Sequence, residues 1–158
     1  MKHAGFKLAL LVLVLTTIGC DRVTKQLAMG TLAGRGSRSY LSDTLRLEYA
    51  ENTGAFLSLG ENLPGWARRS LFAYGTGVLL VVLAAVAVRQ RWSGAALAGA
   101  CLIWAGGASN LIDRLTRGSV VDFLNVGIGP VRTGIFNVAD LAVAVGVVLL
   151  IAARHREF

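Results

Sequence analysis

The apolar positions of this chain gather into four long blocks separated by two more polar stretches, and block length decides what they are. A membrane-spanning helix needs roughly 20 mainly apolar residues. The block at about 68–88 is free of charge from Ser70 to Val88, and the block at about 92–113 is free of charge from Trp92 to Ile112. Residues 4–22 form a third span if Lys7 snorkels to the near interface, and residues 135–153 a fourth if Asp140 is tolerated near one end. Between the first two spans, Leu45, Leu47 and Tyr49 alternate with Thr44, Arg46 and Glu48, the two-residue period of a half-buried strand. Between the last two, Val120, Asp122, Leu124 and Val126 alternate with Val121, Phe123 and Asn125, closed by the turn-like Gly127-Ile128-Gly129-Pro130. The expected fold is an α-helical membrane protein: four transmembrane helices, with a small extracytoplasmic β-sheet formed by the two external loops. No repeat or linker divides the chain, so residues 1–158 read as a single domain.

Composition supports the membrane reading. Of 158 residues, 54% are hydrophobic and 16% charged, whereas a soluble domain is roughly a quarter charged. The apolar content excludes intrinsic disorder, and two cysteines, Cys20 and Cys101, are too few for a disulfide-built fold. The formal charge of +7 comes from basic residues scattered around apolar blocks, with no basic stripe interleaved with aromatics, so nucleic acid is not expected as a partner. Lys2, Lys7, Arg89, Arg91, Arg154 and Arg156 lie at one set of span ends, which the positive-inside rule assigns to the cytoplasm. Both termini are then inside and the two polar loops outside. A basic start, an apolar run and Ile18-Gly19-Cys20 resemble a lipoprotein signal, but Thr17 fits such a signal poorly, and the segment reads as an uncleaved helix.

Ionisable groups at bilayer depth are costly and mark functional candidates. Asp21 and Lys25 close the first span, Asn110, Asp113 and Arg114 close the third, and Asn137 and Asp140 open the fourth. In the four-span topology these ends meet at one membrane face, with Asn52 and Asp122 in the loops above. The only histidines, His3 and His155, fall at the opposite ends, which leaves neither a zinc hydrolase nor a serine triad on the polar face. That face offers aspartates. In a dyad, one carboxylate takes a proton from water while the other, protonated, donates to the carbonyl oxygen under attack. Two carboxylates about 4 Å apart at an effective dielectric near 20 repel by about 4 kcal/mol, so one proton is shared near neutral pH. Asn137 and Asp140 are spaced i, i+3, so a helix starting there lets Asn137 cap it while Asp140 feels the positive dipole end. The plainer readings are an interfacial ion pair for Asp21 and Lys25, a helix-end pair for Asp113 and Arg114, a solvated strand residue for Asp122, and close packing for Gly106-Gly107.

In order along the chain stand Asp21-Arg22-Val23-Thr24-Lys25, Asn52-Thr53-Gly54-Ala55-Phe56, Asn110-Leu111-Ile112-Asp113-Arg114, Gly118-Ser119-Val120-Val121-Asp122-Phe123 and Phe136-Asn137-Val138-Ala139-Asp140. This series resembles the motifs of lipoprotein signal peptidase, the type II signal peptidase family of bacterial membrane aspartic peptidases. The resemblance implies that Asp122 and Asp140 are the catalytic dyad. It also implies that Asn52, Gly54 and Arg114 hold the substrate backbone, that Asn110 and Asn137 shape the polar site, and that Asp21 and Lys25 support it. The implied partners are membrane lipids and prolipoproteins cut just before a diacylglyceryl-modified cysteine. The implied enzyme is a monomer of the bacterial inner membrane, active at the outer face, without metal or other cofactor.

Two positions depart from the family pattern. Ser109 stands where glycine is usual, and Ala55-Phe56-Leu57-Ser58 lacks a second small residue before the phenylalanine; both are expected to bear on how closely substrate approaches. The rival readings are a catalytically specialised or inactive paralogue that binds lipidated peptides and a small transporter or proton relay. A transporter should carry its polar residues near the bilayer midplane and toward both faces, which spans two and three do not.

Overall fold

The computed structural model describes residues 2–54, 64–92 and 94–154. Along the chain run α1 (Lys2–Leu32), β1 (Arg38–Tyr40), β2 (Leu45–Asn52), α2 (Gly65–Arg89), α3 (Gly94–Arg117), β3 (Val120–Ile128), β4 (Val131–Arg132) and α4 (Val138–Arg154). Three helical segments are long and apolar enough to cross a membrane, Ala4–Leu32, Gly65–Arg89 and Gly94–Arg117, and Val138–Ala153 is a shorter apolar helix.

The largest departure from expectation is α1, which does not stop near residue 22 but continues to Leu32. Its continuation has a physical cause in one stripe: Asp21, Lys25, Ala28 and Leu32, spaced i, i+4, i+7 and i+11, are all buried. The polar half of the stripe faces other helices. Its apolar half, Ala28 and Leu32, forms a small core with Phe123 of β3, flanked by Leu47, Tyr49, Leu124 and Val138. The helix therefore rises past the bundle and becomes the support on which the sheet rests.

Helix α3 packs against each of the other three helices. Its approach to α4 is close because both helices present glycine. A Cβ on Gly99 would lie 2.7 Å from the carbonyl oxygen of Gly146, and one on Gly106 would collide with that of Ala139. Gly107 faces Leu80 of α2 in the same way, so the Gly106-Gly107 pair serves packing.

The sheet is antiparallel in the order β1-β2-β3-β4. Strands β2 and β3 match the alternating segments of the sequence and run on to Asn52 and Ile128, while the three-residue β1 and the two-residue β4 were not expected. Pairing of β2 with β3 runs from Leu45 opposite Val126 to Asn52 opposite Val120, with an irregularity between Leu47 and Ala50. That register carries Asn52 and Asp122 to the end of the sheet nearest the helices. Val120, Val121, Asp122 and Phe123 are all buried there.

Candidate active site

The geometry is built around the first turn of α4. Asn137 precedes the helix, and its Oδ1 accepts the N–H of Asp140 at 2.9 Å while the Asp140 carboxylate accepts the N–H of Asn137 at 3.1 Å. This reciprocal pair is a capping box, with aspartate in place of the usual glutamate. It fixes the Asp140 carboxylate at the helix N-terminus. The Asn137 amide nitrogen, left free by the cap, donates to Asp122 Oδ1 at 2.6 Å. One wholly buried asparagine thus links the two aspartates.

Each aspartate has a second amide partner from a different element. Asn52, at the end of β2, donates to Asp122 Oδ2 at 3.1 Å. Asn110 of α3 donates to Asp140 Oδ1 at 2.8 Å. Four secondary-structure elements therefore converge on two carboxylates through three neutral amides. Burial pushes the Asp122 carboxyl up to about 6, and the neighbouring charge of Asp140 adds to the effect; hydrogen bonds from Asn52 and Asn137 and the charge of Lys25 oppose it. Desolvation is the larger cause and charge repulsion from Asp140 the smaller.

Behind the pair lies a buried ionic cluster. Lys25 reaches Asp21 at 2.6 Å, Asp113 at 2.8 Å and Asn110 Oδ1 at 2.7 Å. Arg22 pairs with Asp113. Asp21 also accepts the Ser109 hydroxyl at 2.7 Å and the backbone N–H of Ala139 at 2.8 Å. Its Oδ1 therefore satisfies an unpaired amide in the first turn of α4, a helix cap supplied from another helix. Because Lys25 occupies Asn110 Oδ1, the Asn110 amide nitrogen is turned toward Asp140.

Several expectations change here. Asp21 and Lys25 do not form an interfacial pair: they are 0% and 2% exposed. Asp113 pairs with α1 and not with its neighbour Arg114. Arg114 instead donates to the carbonyl oxygens of Gly54 at 3.2 Å and Asn110 at 3.5 Å, and Asn52 Oδ1 accepts the N–H of Gly54 at 3.0 Å. Asp122 is 3% exposed and not a solvated strand residue. Ser109 is wholly buried against Asp21, so its departure from glycine bears on the contact between α1 and α3. The departure at 55–58 lies outside the described residues, as do His155 and Arg156.

Sequence reasoning missed Arg22, the role of Ser109, and Glu51 with Ser119, which lie hydrogen-bonded beside Asn52 and Asp122. Arg22 and Ser109 each adjoin a residue already singled out, and that adjacency was the only available signal. Among the described residues, no three His, Cys, Asp or Glu side chains converge as metal ligands.

The arrangement can be compared with known proteins. A family model described as signal peptidase (SPase) II matches residues 13–155. A protein of Halothermothrix orenii named lipoprotein signal peptidase is 37% identical over 140 residues, covering 89% of this chain and 90% of its own. One of the same name from Streptococcus pneumoniae is 34% identical over 152 residues, covering 92% of each chain. A solved structure described as a bacterial membrane enzyme, determined at 2.3 Å, superposes with a TM-score of 0.81 at 26% identity, covering 94% of this chain and 88% of that one.

Proposed function

The chain belongs to the signal peptidase II family, and from that premise we propose that Asp122 and Asp140 are its catalytic pair. The enzyme is an aspartic peptidase that removes signal peptides from prolipoproteins. One observation carries the assignment of the pair. Asn137, fully buried, holds Asp122 through its side chain and Asp140 through its backbone, so the two carboxylates are kept in a fixed relation by neutral amide groups.

In the reaction, the ionised carboxylate draws a proton from a water that attacks the scissile carbonyl carbon. The protonated carboxyl gives its proton to the carbonyl oxygen as the tetrahedral intermediate forms. When that intermediate collapses, the C–N bond breaks and the departing amine takes a proton from the pair. An Asp122 carboxyl near 6 suits this exchange, because it keeps a proton available close to neutral pH. Arg114, Asn52 and Gly54 hold the substrate main chain beside the pair, while Asn110 and Asn137 orient the carboxylates and Asp21 and Lys25 support them.

The site's relation to the bilayer follows from α4. Seventeen residues at about 1.5 Å each make a helix of roughly 25 Å, shorter than the roughly 30 Å of hydrocarbon. It serves as the fourth span with its N-terminus recessed at the outer face, which sets Asp140 at the depth of a signal helix end. The sheet then lies outside, both termini lie in the cytoplasm, and the enzyme works as a monomer in the bacterial inner membrane. Cleavage falls just before the lipid-modified cysteine, whose acyl chains stay in the surrounding lipid.

Purified protein incubated with a diacylglyceryl-modified prolipoprotein tests the reading. Asp122→Asn and Asp140→Asn should each abolish cleavage in protein that remains folded and inserted. Appreciable turnover by either variant removes that residue from the chemistry.

A further inference from the structure

The end of β2 carries a carboxylate that the peptidase reaction does not use. Glu51 accepts the Tyr49 hydroxyl at Oε1, 2.6 Å away, and the Ser119 hydroxyl at Oε2, 3.0 Å away. Both of its oxygens are engaged, one within its own strand and one at the residue that leads into β3. Successive strand residues point to opposite faces. Asn52 thus reaches across one face to Asp122 at 3.1 Å, while Glu51 ties the same two strand ends together from the other.

This end of the sheet needs such a tie. The β2–β3 register is interrupted between Leu47 and Ala50, and beyond that point the strands share only three pairs, Ala50–Asp122, Glu51–Val121 and Asn52–Val120. A slip of one residue turns every side chain to the opposite face, which would take Asn52 off Asp122. We infer that Glu51 is a positioning residue for the reaction: by clasping Tyr49 and Ser119 it holds β2 in register, so that the Asn52 amide stays on Asp122.

The inference rests on the assignment of Asp122 to the catalytic pair. Hydrogen bonds from Tyr49 and then Ser119 hold the Glu51 carboxyl below its usual range, with the Arg117 charge acting in the same direction. The Tyr49 hydroxyl is pushed up to about 12 by burial and by Glu51. The clasp therefore keeps its form across the range in which Asp122 titrates. The charged groups that act on Asp122 are Asp140 from α4, Lys25 from α1 and Arg114 from α3; none of them touches Glu51.

The test is the pH dependence of kcat and kcat/KM on a lipid-modified prolipoprotein for wild type, Glu51→Ala, Glu51→Gln, Asn52→Ala and the Glu51→Ala/Asn52→Ala double variant. Glu51→Ala should lower kcat/KM roughly tenfold, the loss expected of one hydrogen bond to a charged group. It should also move the alkaline limb, where Asp122 gives up its proton, to higher pH, because an N–H that favours the ionised form is lost. Asn52→Ala should shift that limb equally, and the double variant should be no worse than Asn52→Ala alone. Glu51→Gln keeps an oxygen for Tyr49 and an amide for Ser119, and should restore most of the rate. If Glu51→Ala does not accumulate as folded protein, Ser119→Ala should give a smaller shift in the same direction.

An unmoved pH profile, or additive losses in the double variant, overturns the inference. Asp122→Asn, assayed alongside, separates the two ideas. If it cleaves, the assignment of the pair is wrong; if it is inactive while Glu51→Ala matches wild type in profile, only the role of Glu51 fails.

Discussion

Replacing Asp122 by asparagine should abolish activity and also change how stability depends on pH. The folded protein raises this carboxyl from 3.8 to about 6, so between those values the native state holds a proton that the unfolded chain has released. Stability from this group is therefore fully present below the unfolded value and is lost as pH rises through the folded one. The difference corresponds to a penalty of about 3 kcal/mol well above pH 6, most of which develops between pH 4 and pH 8. Asparagine cannot ionise and escapes that loss. It brings a cost of its own, because both Asp122 oxygens accept amide N–H groups and the new NH₂ must face one of those donors, at about 1–3 kcal/mol. That cost does not vary with pH. Equilibrium unfolding in mixed micelles at pH 4 and pH 8 should then show wild type losing about 2–3 kcal/mol relative to Asp122→Asn across the interval. The variant's cleavage should fall about a thousandfold, the middle of the hundred- to ten-thousandfold range that a positioned acid or base contributes. A wild type and variant whose stabilities run parallel in pH would refute the argument that Asp122 is held protonated by burial.

The ionic cluster should respond differently. Lys25→Met leaves Asp21 and Asp113 buried without their shared cation and should cost about 3–5 kcal/mol in the same unfolding assay, while adding Asp21→Asn, which can still cap Ala139, should recover part of that loss. An unmodified precursor should be cut at least about a hundredfold more slowly than the diacylglyceryl form at equal membrane concentration, because the acyl chains set the depth of the scissile bond and about 1 Å of misplacement is that costly; equal initial rates would contradict it. In a protein whose own cysteines are removed, single cysteines at Ser42 and Ile128 should react with an impermeant reagent from the outer face of intact cells, and one at Arg91 should not.

How much of this was legible in the sequence depends on how local each signal is. The spans show because a run of twenty apolar residues is rare elsewhere, and β2 and β3 show because seven or more residues suffice to display a period of two. The three-residue β1 and two-residue β4 are too short to display any period. The extension of α1 is written as Asp21, Lys25, Ala28 and Leu32, but Thr24, Gln26, Gly30 and Thr31 between them lower the hydropathy to that of a loop. Asn137 and Asp140 form a helix cap readable from spacing alone. Asp122 as their partner is not readable that way, since only the pairing of β3 with β2 and its contact with Asn137 bring it there; the family resemblance supplied that assignment. The bond from Asp21 to Ala139 joins the two ends of the chain, and no local pattern announces it.

The two halves of the polar interior differ in how their carboxylates are satisfied, and the difference bears on mechanism. Asp21 and Asp113 are matched by Lys25 and Arg22 in direct contact, two carboxylates against two cations. Among the described residues, the direct side-chain donors to Asp122 and Asp140 are Asn52, Asn110 and Asn137, which fix geometry without contributing a positive charge. A cation in contact would stabilise the ionised form and expel the proton that the reaction needs. Asn52→Lys should therefore keep a donor on Asp122 and yet impair the enzyme, moving the alkaline limb of its pH profile down by about one unit or more, the usual effect of an adjacent cation on a carboxyl. Asn52→Ala should move the same limb up. Opposite displacements from two substitutions at one position would show that the neutrality of the amide, and not merely its hydrogen bond, keeps the proton on the pair, whereas a common direction for both would assign Asn52 a purely steric part.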